Sequence, residues 1–465
     1  MITISFDKIM ERMTNISNPR FGTDGIRGTV GRDLTPQLMM HLGFLIGKTL
    51  NRNGPIIIGN DSRRSNSMLV SALTSGLNGA GKEVWQIGLC PTPAVSILVR
   101  NFQAAGGIMV SASHNPPEDN GIKIFDFNGI KINSKQQDLI ESRLKNNYLE
   151  ELSLQKNDYG NCFYRSEIIK HYSKEVMKSL PHKQLTGLNI ILDLCWGSAT
   201  ICGAKMFKEL GANLTVINGE ANGDLINVNC GSTNLNQLRE TVLKQQADMG
   251  FAFDGDADRM LAIDSQGRLI DGDHILYLWG QELAESNALP NKRLVGTVMS
   301  NLGLEKAWQA KGGVLERAPV GDQNVHAAMI SKGATLGGEQ SGHILAASNG
   351  FCGDGLFTAL QIATICHSKK ISLAKWRDQS FKPFPQKMIN LTLPKGYDFL
   401  NTKDSEEINE VIYKAKKAMG KNGRILIRPS GTEPLIRIMV EAEEEQIANT
   451  WCTEIAQIFS QSLSA

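Results

Sequence analysis

Apolar positions along the chain recur at helical and strand periods in blocks that restart several times. Thr35 and Pro36 form a cap and first turn ahead of Leu38, Leu42, Leu45 and Ile46, a spacing that predicts a helix with one apolar face. The run Pro55-Ile-Ile-Ile-Gly59 reads as a buried strand, followed by a helix over 66–77, a strand over 83–87, a helix after Thr92 and a strand over 107–110. This alternation is the rhythm of a mostly parallel sheet covered by helices.

The rhythm begins again with a strand at 189–193, a helix near 203–210 and strands at 214–217 and 249–253. A third block starts near Met260 and runs through 294–299, 334–336 and a helix over 356–365. Phe381-Lys-Pro-Phe-Pro385 predicts a linker, because two prolines in five residues resist both helix and sheet. Beyond it come a strand, a charged helix over 406–419, strands at 424–427 and 436–440, and a terminal helix. The predicted fold class is α/β: three consecutive similar α/β units with mixed sheets, then a smaller C-terminal α+β domain. The expected domains are 18–155, 156–255, 256–372 and 373–465. At 465 residues the chain exceeds what one core organises, so a site shared between domains is expected.

Charge narrows the ligand. With 49 basic and 47 acidic residues interleaved, no positive stripe exists to neutralise a nucleic-acid backbone, so any bound phosphate should be small. The eight cysteines show no Cys-x-x-Cys pair and are expected to be reduced and mostly buried. The first twenty residues mix charges into their apolar positions, unlike a secretory signal. No window approaches the roughly 18 to 20 apolar residues of a membrane span. A cytoplasmic location, with no membrane or nucleic-acid partner, is expected.

Four segments carry candidate chemistry. Val110-Ser-Ala-Ser113-His114-Asn-Pro follows an apolar strand, and in an open α/β sheet ligands sit at the carboxyl ends of strands, where Ser113 could be a nucleophile. A Ser-rich turn would read the same way, with His114 and Lys123 the only bases nearby. Asp254-Gly-Asp256-Ala-Asp258-Arg259 places three carboxylates at alternate positions after a strand, and clustered acids need a cation to offset their repulsion. Oxygen-only ligands fit a hard ion such as Mg²⁺. A calcium EF-hand is excluded, since Arg259 and Ser265 stand where its loop requires Gly and Glu. Gly337-Gly-Glu339-Gln-Ser341-Gly-His343 offers groups suited to sugar hydroxyls. Arg428-Pro-Ser430-Gly431-Thr432, with Arg437 beyond, combines main-chain donors and guanidiniums in the manner of a phosphate site. Gly76 to Lys82 has P-loop spacing only as far as Gly-Lys; Glu83 replaces the required hydroxyl, and the segment leads from helix to strand. It predicts a helix terminator. His41 predicts a partly buried surface side chain.

Taken together, the identity and order of these segments resemble the α-D-phosphohexomutase family from about Arg20 to the C-terminus. Phe21-Gly-Thr-Asp-Gly-Ile-Arg27-Gly is similar to the family's N-terminal active-site loop, and the four segments above to its phosphoserine, metal, sugar and phosphate loops. The resemblance implies four domains around a central cleft, a phosphorylated Ser113, Mg²⁺ held by Asp254, Asp256 and Asp258 beside it, and Arg27, Lys123 and His114 as catalytic groups. It implies substrate contacts from Arg259, Glu339, Ser341, His343, Arg428, Ser430, Gly431, Thr432 and Arg437. Asn227-Val-Asn-Cys-Gly-Ser-Thr, Val320-Gly-Asp and Gly353-Asp-Gly-Leu are most similar to the bacterial branch that interconverts glucosamine 6-phosphate and glucosamine 1-phosphate for UDP-N-acetylglucosamine. Glucosamine 1,6-bisphosphate or glucose 1,6-bisphosphate would be the intermediate or activator, and the protein a monomer or homodimer. The alternatives are a phosphoglucomutase or phosphomannomutase, a phosphatase, or a non-catalytic sugar-phosphate-binding relative. Departures from the branch are Pro319 and Gln323, where it carries Lys and Arg, and Asp193-Leu-Cys-Trp-Gly. Arg317 shares the parity of Pro319 on a strand and could replace the missing charge.

Overall fold

A computed structural model describes residues 21–22, 24–145, 158–393, 406–429 and 435–464. The first sheet has seven strands in the order Phe21–Gly22, Gly25–Thr29, Asp119–Phe125, Gly106–Val110, Ile56–Asn60, Val84–Leu89, Cys162–Tyr164. Ile56–Asn60 pairs in parallel with both Val84–Leu89 and Gly106–Val110, while Asp119–Phe125 returns antiparallel, so the sheet is mixed. The helix Pro36–Thr49 starts as its cap predicts: Thr35 Oγ1 accepts from the Leu38 amide at 3.3 Å. Asn66–Gly79 ends just before Lys82, so the P-loop-like spacing is a helix end.

The second sheet runs Leu269–Ile270, Met260–Asp264, Met249–Phe253, Asn189–Asp193, Asn213–Ile217, and the third runs Val314–Ala318, Arg293–Thr297, Leu336–Gly338, Ile344–Ala346. The strands expected to open the third unit, from Met260 onward, thus belong to the second sheet. Met260–Asp264 folds back against Met249–Phe253 with Phe253 opposite Met260, because the intervening turn is too short to reach another sheet. A smaller antiparallel sheet, Gln386–Thr392, Leu435–Ala442, Gly423–Pro429, packs on the helices Glu406–Met419 and Glu445–Ser464.

Each of the first three units repeats one device: a parallel strand turns into an antiparallel neighbour. Gly106–Val110 leads to Asp119–Phe125, Met249–Phe253 to Met260–Asp264, and Leu336–Gly338 to Ile344–Ala346. The three turns between them hold Ser113, the aspartates and Glu339 respectively. One apolar cluster runs through these units, from Ile57 and Val95 through Leu192 and Phe253 to Leu294 and Leu360, and fixes the turns relative to one another. The C-terminal domain has its own core around Ile438, Val440 and Phe459. Phe381–Pro385 carries no helix or strand, as a linker requires. All eight cysteines are free. Among the described residues no helix is long and apolar enough to cross a membrane.

Candidate active site

Ser113 is fully buried at the end of its strand, in the left-handed region with φ +53°, a conformation a non-glycine residue keeps only when its surroundings enforce it. The enforcing groups are identifiable. Its amide donates to Ser111 Oγ at 2.9 Å, and Ser111 donates in turn to Asp61 Oδ2 at 2.6 Å. Its carbonyl accepts from Arg63 Nη2 at 3.0 Å and from Asn227 Nδ2 at 2.8 Å. Arg63 is wholly buried and also grips the carbonyls of Asn115, Pro116 and Asp119, so one guanidinium shapes the entire loop. The metal loop approaches closely at Gly255, where a Cβ would lie 2.7 Å from the Ser113 carbonyl oxygen.

Ser113 Oγ donates to Asp254 Oδ2 at 2.5 Å and lies 3.3 Å from His114 Nδ1. Burial, then the cations Arg259 and Arg27, press the His114 imidazole down to about 3, which leaves it neutral at physiological pH. Asp254, Asp256 and Asp258 are buried, and one ligand atom from each lies within 4.8 Å of the others. Burial, then Asp258 and Asp256, push Asp254 far above the ordinary carboxylate range, which is the electrostatic signature of acids that need a cation. Lys123 neutralises part of the charge, donating to Asp256 Oδ2 at 2.7 Å and Asp258 Oδ2 at 2.5 Å. Burial disfavours its ammonium, but Asp24, Asp256 and Asp258 outweigh this and hold it charged. The Oδ1 atoms of Asp256 and Asp258 are buried without a hydrogen-bond partner. Acceptor-only oxygens orphaned in this way fit a bound divalent cation.

Arg27 pairs with Asp24 and donates to Asn115 Oδ1 at 3.0 Å, linking the N-terminal hairpin to the serine loop. Arg259 donates its amide to Asp254 Oδ1 at 3.1 Å. His343 is buried, its Nδ1 3.6 Å from Asp258 Oδ1, whereas Ser341 is exposed. Glu339 Oε1 accepts from the Gly321 amide at 3.0 Å. The sugar and metal loops therefore meet. Arg428 and Arg437 stand directly opposite on antiparallel strands, which sets two guanidiniums side by side on one face of the C-terminal sheet. Ser430, Gly431 and Thr432 lie outside the described residues. Arg317 does not replace a cation at Pro319: its guanidinium is committed to Glu305 at 2.7 Å and to the Ser300 carbonyl at 2.6 Å. Pro319 itself is exposed in the turn.

Sequence reasoning singled out the groups at the centre and missed those that hold them. Asp61 and Arg63 carried a usable signal, since they follow the strand Ile56–Asn60 at the sheet's carboxyl edge. Asn227 and Asp24 sat inside quoted motifs without a role. Asp322 likewise sat inside the Val320-Gly-Asp motif without a role, and Lys131 gave no signal.

The chain matches known proteins along nearly its whole length. Residues 18–151, 169–267, 271–384 and 388–458 match, in order, domains I, II, III and the C-terminal domain described as phosphoglucomutase/phosphomannomutase. The chain is 54% identical over 445 residues to a phosphoglucosamine mutase of Prochlorococcus marinus (strain MIT 9303), covering 96% of this chain and 95% of the relative. A phosphoglucosamine mutase of Synechococcus sp. (strain WH7803) is also 54% identical, with 96% of each covered. The crystal structure of a phosphoglucomutase/phosphomannomutase family protein from Burkholderia thailandensis shares the fold with a TM-score of 0.80 at 23% identity, over 96% of this chain and 97% of that one. A serine beside a buried acidic triad, set in four domains that match in order, makes this chain a member of the phosphoglucomutase/phosphomannomutase family, an α-D-phosphohexomutase.

Proposed function

We propose that the chain interconverts glucosamine 6-phosphate and glucosamine 1-phosphate through a phosphoryl group carried on Ser113. The observation that carries this reading is the serine hydroxyl at 2.5 Å from Asp254, inside a triad with two unsatisfied oxygens. The amino-sugar substrate rests on the relatives at 54% identity.

Asp254, Asp256 and Asp258 would hold Mg²⁺ beside the phosphoryl group, and the ion, when bound, offsets charge that develops on the transferring oxygens. The chain's own groups do the remaining work. The clamped loop presents Ser113 Oγ in one orientation, so little freedom is lost on reaching the transition state. Lys123 and Arg27 bring positive charge to the phosphoryl oxygens, while the proton of the attacking sugar hydroxyl ends on the departing Ser113 Oγ. Neutral His114 can exchange a hydrogen bond with Oγ without adding charge. Glu339, Ser341, His343 and Arg259 would bind the sugar, and Arg428, Arg437 and residues 430–432 the phosphate that is not reacting. Transfer from phospho-Ser113 to the free hydroxyl yields glucosamine 1,6-bisphosphate, which turns over and returns its other phosphate to Ser113.

Turnover measured side by side on glucosamine, glucose and mannose phosphates tests the substrate. Preference for the amino sugar in kcat/KM is expected. A preference for glucose or mannose phosphate would reassign the chain within its family.

A further inference from the structure

Lys131 and Asp322 stand on different units. Lys131 Nζ donates to Asp322 Oδ2 at 2.6 Å, and Asp322 opens the helix Asp322–Lys332 of the third unit. Lys131 pairs as well with Asp24 in the N-terminal hairpin, and Asp24 lies 3.2 Å from Lys123. Lys123 reaches one oxygen of Asp258, His343 approaches the other, and the second nitrogen of His343 lies 3.8 Å from Asp322. The contacts close into a ring in which basic and acidic side chains alternate: Lys123, Asp24, Lys131, Asp322, His343, Asp258. The ring draws on the catalytic hairpin, the metal loop and the sugar loop. Four members belong to the site already described; Lys131 and Asp322 do not.

Their placement gives them a purpose. Gly321, adjacent to Asp322, donates its amide to Glu339 of the sugar loop, while Asp24, on the other side of Lys131, holds Arg27. A single ammonium thus connects Asp322, the immediate neighbour of the residue whose amide grips the sugar loop, with Asp24, which pairs with Arg27. Both side chains are nearly excluded from water, at 10% and 13% exposure, so loss of either partner strands a charge the interior cannot solvate. The acid in the first helical turn is favoured by the helix dipole as well, which keeps Asp322 in place.

We propose that Lys131 and Asp322 are positioning residues, whose ion pair seats the sugar loop of the third unit against the catalytic hairpin of the first. The inference rests on the mutase reading above. Steady-state kinetics of Lys131→Met, Asp322→Asn and the double variant, in the full chain with glucosamine 6-phosphate, test it. Each single change should raise KM about tenfold, and the double variant should be no worse than Lys131→Met alone, as coupled residues behave. Lys131→Arg should stay within about threefold of wild type, because the guanidinium keeps both charge contacts. A cavity of about 450 Å³ lined by Lys131, Gln323 and His326 gives it room. Losses that multiply in the double variant, or an unchanged KM in both singles, would overturn the proposal. Amide hydrogen exchange without substrate provides a readout independent of turnover. Exchange should quicken at both Gly25–Thr29 and 319–322 in either single variant, and a change confined to one segment would refute the link. A wild-type chain inactive on glucosamine phosphates would sink the substrate reading alone, leaving the exchange result to decide the ion pair.

Discussion

Arg63 donates from a wholly buried guanidinium to the main-chain carbonyl of Ser113 at 3.0 Å. The contact joins residues 50 positions apart and explains how a serine is kept at φ +53°. Lysine at 63 would keep the charge opposite Asp61 but lose the planar fork that reaches four carbonyls. Arg63→Lys should therefore lower kcat by about a hundredfold while changing KM little, since misaligning a nucleophile by about 1 Å costs on that order. Wild-type kcat in a folded Arg63→Lys chain would show that the loop holds itself.

Arg428 and Arg437 face each other across strands of the C-terminal domain, and burial, then the charge of Arg437, lowers the Arg428 pKa. An anion relieves the repulsion. Thermal unfolding should therefore rise in inorganic phosphate, and the rise should largely disappear in Arg428→Met. Equal phosphate stabilisation in the variant would move the phosphate site elsewhere.

Asp354 caps the helix Gly355–Lys369 from a fully buried position, accepting from Phe357 at 2.9 Å and Tyr172 at 3.0 Å. Burial outweighs these hydrogen bonds and lifts its pKa from 3.8 to about 6. The folded state thus holds the proton more tightly than the unfolded one. The resulting stability is fully present below the unfolded value and is lost as pH climbs through about 6. Asparagine mimics the protonated acid and still caps the helix. Urea unfolding at about pH 5 and about pH 7.5 should show the wild type losing ground to Asp354→Asn as pH rises, by a few kcal/mol at most. A difference that stays constant would mean the carboxyl titrates normally.

Much of this was legible in the chain because the signals are local. Val110 to Pro116 and Asp254 to Arg259 each place their chemistry within a few residues of a strand end, where an open sheet presents ligand groups. The periodicity also located Asn189–Asp193, Met249–Phe253 and Glu406–Met419 with the bounds they have in the fold. What escaped depends on contacts between distant segments. Arg63 acquires its meaning from carbonyls at 113 to 119, and Lys131 from Asp322, nearly two hundred positions away. Met260–Asp264 returns to the second sheet, beside Met249–Phe253, and a strand pattern alone does not reveal the sheet to which it returns. Arg317 does lie on a strand, Val314–Ala318, but Glu305 and the Ser300 carbonyl, neither of them visible from strand parity, occupy its guanidinium.

The central claim is that Ser113 carries the exchanging phosphoryl group. Incubating the full chain with Mg²⁺ and radiolabelled glucose 1,6-bisphosphate, then mapping the label by peptide mass spectrometry, tests it most directly. Label on the peptide containing Ser113, chased off by unlabelled glucosamine 6-phosphate and absent from both Ser113→Ala and Asp256→Asn, is the predicted result. Label on another residue, or mutase turnover that survives in Ser113→Ala, would contradict it.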